Sequence, residues 1–151
     1  MNFFQEYAIL IVPILAGLIT QAIKLATDQI KGNFNWHELL ASYGGMPSAH
    51  TAFVVSLTAI LGLTEGINTA IFAVSFILMA IVIRDAMGFR LILGQQSKVL
   101  NHLVDKLPEP ERKQLPRLRE RLGHTFLQVT TGGALGIITS FLYHWLVMPG
   151  T

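Results

Sequence analysis

Residues Gly44 to Asp85 read "GGMPSAHTAFVVSLTAILGLTEGINTAIFAVSFILMAIVIRD", and this stretch decides the fold. Within it Glu65 separates an uncharged run of 26 residues that begins after Glu38 from one of 18 that ends before Arg84. Runs of that length fit helices crossing a bilayer, which need about 17 to 25 apolar residues each. The turn "TEGINT" (Thr64–Thr69) joins them into a hairpin.

The rest of the chain repeats the pattern. Between Glu6 and Lys24 there are 17 uncharged residues, and after Arg121 there are 30. Spans are expected at about 5–24, 47–64, 68–88 and 125–147. The fold class is therefore all-α, a single membrane domain over 1–151. It is an integral membrane helical bundle of about four transmembrane helices, with a cytoplasmic segment, 89–124, between the third and fourth. Composition agrees, with 52% hydrophobic and only 13% charged residues, against about 25% charged in ordinary soluble domains. The net charge of +2 gives no reason to expect nucleic acid, and without cysteine there is no thiolate or disulfide chemistry.

With four spans, all eleven Lys and Arg residues fall at or beyond one face: Lys24, Lys31, and nine from Arg84 to Arg121. By the positive-inside rule that face is cytoplasmic, as in a bacterial inner membrane protein. The stretch "KLPEPERKQLPRLRERLG" reads as a solvated, partly helical loop on that side. "GGALG" (Gly132–Gly136) has a GxxxG spacing suited to close helix packing.

Polar residues collect at the same level. Lys24 ends the first span; Pro47, Ser48 and His50 open the second; Arg84, Asp85 and Arg90 close the third; His124 opens the fourth. Charged groups near a bilayer are costly and usually face a partner or a watery cavity. These residue types suit a phosphate monoester. Lys24, Arg90, Ser48 and the amides of Gly44 and Gly45 can surround its oxygens, helped by a helix N-terminus with Pro47 in its first turn. Two histidines can divide the remaining work, one attacking phosphorus and the other protonating the departing alcohol. The five histidines show no HxxxH or HExxH spacing, so no metal site is expected.

"GGMPSAH", "RDAMGFRLILGQQSKVLN" and "LGHTFLQV" resemble the divergent, small-membrane-protein branch of the type 2 phosphatidic acid phosphatase superfamily, relatives of vanadium haloperoxidases and bacterial acid phosphatases. The resemblance runs from about Gln21 to Gly136. It implies a phosphoric monoester hydrolase that acts on a phospholipid or isoprenoid phosphate without a metal or organic cofactor. Phosphatidic acid, phosphatidylglycerophosphate and prenyl phosphates are the candidate substrates, and the lipid bilayer is a partner. A homo-oligomer is compatible with it. Lys24 would bind phosphate, Ser48 would donate to it, His50 would be the general acid and His124 the nucleophile. Asp85, Arg90, Gln96 and Asn101 match the divergent branch.

Three positions depart from the superfamily pattern. Ala49 stands for a glycine, and Leu118 occupies the position of an arginine six residues before the nucleophile, which leaves Arg90 as its substitute. Gln128 stands where an Asp or Glu four residues after the nucleophile would orient the imidazole. An amide oxygen can still accept from Nδ1–H, but it supplies no negative charge. The alternative function is therefore a catalytically weakened protein that binds or transports lipid phosphates.

Overall fold

The computed structural model describes residues 3–30, 46–120 and 122–149, and among them every regular element is helical. In chain order these are α1 (Phe3–Glu6), α2 (Ala8–Ile30), α3 (Ala49–Thr64), α4 (Ala70–Met87), α5 (Phe89–Val104), α6 (Glu109–Arg112) and α7 (Phe126–Val147). The helices start and stop within two residues of the stretches 47–64, 68–88 and 125–147, while the first runs on to Ile30. Sharp starts explain the agreement. Ser48, Thr69 and Thr125 are N-caps whose hydroxyls accept from the backbone N–H three residues on, which satisfies donors that the first turn cannot pair internally.

The result is a helical membrane bundle. Among the described residues, three stretches are long and apolar enough to cross a membrane: Ala8–Thr27, Ala70–Val104 and Phe126–Val147. Their outer faces carry large exposed side chains, among them Leu18, Val74, Ile81 and Trp145. Apolar surface on this scale needs lipid rather than water around it.

The helix that falls short is α3, whose 16 residues span about 24 Å against a hydrocarbon core of about 30 Å. It is also the most enclosed, packed between α2, α4 and α7, with Thr51, Ala52, Val54, Val55, Ser56, Thr58, Ile60 and Leu61 all buried. A helix that is apolar all round is a central one. Protein surrounds it, so it does not have to match the bilayer in length.

Small residues let α7 close on it. Gly132 and Gly136 face Ser48 and Ala52, and a Cβ at Gly136 would stand 2.6 Å from the Ala52 carbonyl oxygen. One turn further, the Ser140 hydroxyl donates to Ser56 O at 3.0 Å. Two rows of small residues four apart, 48–52–56 and 132–136–140, thus interlock. This is the small-residue packing that substitutes for the hydrophobic effect inside a bilayer. Towards the other end Ala8, Val12, Ile60, Tyr143 and Met148 form an apolar core, and Tyr143 donates to Phe4 O at 2.9 Å.

Between α4 and α7, within the segment 89–124 expected to be cytoplasmic, 16 residues form the regular helix α5. The extended stretch 116–120 then returns along it. The buried side chain of Asn101 fixes that return, its Nδ2 donating to Leu118 O and to Glu120 Oε1, both at 2.8 Å, while Oδ1 accepts from Leu118 N at 3.0 Å. Arg117 pairs with Asp105 at 3.1 Å beside it.

Candidate active site

The return segment delivers His124. Gly123 has φ +83 and lies against the Arg90–Leu91 backbone, where a Cβ would stand 2.6 Å from Leu91 N. Only glycine fits both demands. The next residue's N–H donates to Ala86 O at 2.9 Å, which fastens His124 to the end of α4 beside Asp85.

The His124 ring is set by α7's own cap. Thr125 and Gln128 form a capping box: Gln128 N donates to Thr125 Oγ1 at 3.4 Å and Thr125 N donates to Gln128 Oε1 at 2.9 Å. A backbone N–H needs an acceptor, so the amide atom it meets is the oxygen. That same oxygen is 3.3 Å from His124 Nδ1. Nδ1 must therefore carry the hydrogen, and the lone pair lies on Nε2. One amide oxygen closes the helix start and selects the tautomer.

The start of α3 is tied to the same turn through Ser48 N, which donates to Gln128 O at 3.0 Å. Ser48 is wholly buried, and its hydroxyl accepts from Thr51 Oγ1 at 2.9 Å and Thr51 N at 3.4 Å. The structure thus puts it in the helix cap rather than on an open face. Pro47 precedes that cap instead of occupying the first turn, and the Met46–Pro47 peptide is cis. His50 lies two residues beyond Ser48 and is the more open of the two histidines.

Three charged groups complete the cluster. Lys24 is buried on α2. Arg90 Nε donates to Asp85 Oδ2 at 2.6 Å across the α4–α5 joint, each side chain about one-third exposed at 35% and 37%. The charges of Arg90, Asp85 and Lys24 all act on His50. Burial pushes the His124 imidazole below the ordinary histidine range; the hydrogen bond to Gln128 acts upward, and His50, Lys24 and Arg90 act downward. His124 is therefore kept neutral, the form that can attack. Lys24, Ser48, His50, Asp85, Arg90, His124 and Gln128 gather at one end of the bundle, while Gly44 and Gly45 lie outside the described residues.

A family model described as "Divergent PAP2 family" matches residues 5–139. The chain belongs to that family. It is also 34% identical over 147 residues to YuiD, an uncharacterized membrane protein of Bacillus subtilis (strain 168), with 89% of this chain and 92% of the relative covered. No solved structure matches. With these findings and its apolar helices, this Divergent PAP2 family member is an integral membrane protein.

Sequence reasoning had singled out Asn101 and Gln96 without a role. Asn101 now has one, as the clamp on the segment that carries His124. Thr125 went unnoticed, although Thr-x-x-Gln before an apolar run is a capping-box signal.

Proposed function

We infer that this protein is a membrane phosphatase that hydrolyses lipid phosphomonoesters through a phosphohistidine at His124. The carrying observation is the Gln128 oxygen, which holds Nδ1–H and leaves the Nε2 lone pair to attack beside Lys24, Arg90 and His50. In the first step Nε2 bonds to phosphorus, the bond to the lipid oxygen breaks, and His50 gives its proton to that oxygen. Lys24 and the Asp85-oriented Arg90 balance charge on the phosphoryl oxygens. In the second step water attacks phosphorus, His50 takes its proton, and the P–N bond breaks to release phosphate. No step calls for a metal or organic cofactor. Ser48 contributes by holding the start of α3 to the first turn of α7.

The substrate class is a phospholipid or isoprenoid monophosphate of the leaflet beside the site. The one-sided distribution of basic residues supports the cytoplasmic leaflet, and the bacterial relative supports an inner membrane. A second reading, a binder or transporter of lipid phosphates with weakened catalysis, draws on one observation: Gln128 is neutral and its oxygen is shared with Thr125 N–H. Acid-labile phosphate trapped on His124 from a labelled lipid phosphate, and lost in His124→Ala, would separate the two. Binding without any phosphoenzyme or phosphate release would favour the binder.

A further inference from the structure

Helix α4 has 18 residues, about 27 Å, and so uses up a hydrocarbon core of about 30 Å by itself. Sixteen more residues of α5 follow directly. The helix is broken at the joint: Gly88 leaves helical geometry at φ −106 and ψ −88, and Ala86 O accepts from His124 N–H. Beyond the joint, α5 leaves the bundle, since α2, α3 and α7 do not pack along it.

Two sides of α5 are distinct. Gly94 and Asn101 face the return segment. On nearly the opposite side, Phe89, Ile92, Leu93, Val99, Leu100 and Leu103 are all exposed, and their spacing places them in one stripe along the helix, broken by the exposed Gln96 at its centre. Lys98, His102 and Gln95 lie on the flank between that stripe and the return-segment face, with Leu91 among them, and are also exposed. The stripe follows directly in the chain on α4, whose Val74, Ile77 and Ile81 are likewise exposed, so it starts where lipid already covers the chain.

We propose that α5 lies in the plane of the membrane surface, its apolar stripe among the acyl chains just below the lipid phosphates and its Lys98 side in water. A helix with a broad apolar face and a basic polar one occupies that position. A straight continuation would carry the apolar stripe out into water, which exposed apolar surface of that extent avoids. Because Arg90 stands in the first turn of α5, an in-plane helix sets the cationic end of the site at phosphate depth. A lipid phosphate of that leaflet then enters sideways. The inference rests on the stripe and the joint, and stands or falls apart from the phosphatase reading.

The chain has no cysteine, so spin labels can be placed one at a time. Ile92→Cys, Val99→Cys and Leu103→Cys, with Lys98→Cys and His102→Cys, would be labelled in the full-length protein in vesicles of phosphatidylcholine and phosphatidylglycerol. The first three should collide with oxygen, be shielded from a soluble nickel chelate, and report one shallow depth. The other two should be open to the chelate. A depth that changes steadily from 92 to 103 would overturn the proposal in favour of a crossing helix. Chelate access at all five positions would overturn it in favour of a soluble helix. Loss of oxygen access with label-to-label coupling at Val99→Cys would overturn it in favour of a second copy of the chain on the stripe.

Discussion

Replacing Gln128 with Glu isolates the one charge that this site lacks. The capping box accepts either residue at that position, and a carboxylate in the first turn of α7 suits the helix dipole, so the fold should not change. At the observed 3.3 Å from His124 Nδ1, a unit charge beside an imidazolium amounts to about 5 kcal/mol at an effective dielectric of about 20. The site is half open, and solvent screening reduces this to roughly 1–3 kcal/mol, or roughly tenfold to a hundredfold in rate. The same charge has a second effect of known sign. Burial and neighbouring cations hold the His124 pKa below the ordinary histidine range, which favours the neutral imidazole. The new carboxylate should raise that pKa and move the acid limb of kcat/KM to higher pH, while Gln128→Ala, which removes an upward contribution, should move it down. The assay is phosphate release by purified wild type and both variants on phosphatidic acid, phosphatidylglycerophosphate and an isoprenyl phosphate, over the full histidine titration range. Gln128→Ala also weakens the cap, so Thr125→Ala serves as the control for cap loss with the histidine contact retained. Equal plateau rates and an unmoved acid limb for Gln128→Glu would refute the assignment of position 128 as the partner of the nucleophile.

Asn101→Ala should lower kcat by about tenfold to a hundredfold with little change in KM. It frees the segment that carries His124, and misplacement by about 1 Å has costs of that order; Asn101→Asp, which would repel Glu120, should not rescue it. Gly136→Ala should lower the unfolding temperature in detergent, because its Cβ would stand 2.6 Å from Ala52 O and overpacking costs about 1–3 kcal/mol. Gly133→Ala, whose Cβ would meet only side-chain methyls at 3.7 and 3.8 Å, should leave that temperature unchanged. For topology, cysteines at Gly66 and Glu109 should label from opposite sides of the membrane; labelling from one side would break the four-span reading.

Local signals in the sequence were enough to determine that this is a helical membrane protein and, within two residues, where α3, α4 and α7 begin. Gaps between charges are read along one dimension, and Ser48, Thr69 and Thr125 cap within three residues of themselves. The residue types of the site were equally legible, since Lys24, His50, Arg90 and His124 are unusual at the ends of apolar runs. Tertiary structure alone decided how the residues of this cluster are held. Ser48 became a buried cap because α7 closes over it through Gly132, a contact between residues more than eighty apart. The central place of α3 follows from packing on three sides, which its uniformly apolar sequence does not encode. Asn101 acquired its function from Leu118, seventeen residues away, and the tautomer of His124 from an oxygen that the Thr125 backbone had already oriented. Periodicity and caps are short-range properties of a chain, whereas a hydrogen bond between distant segments exists only once their helices have packed.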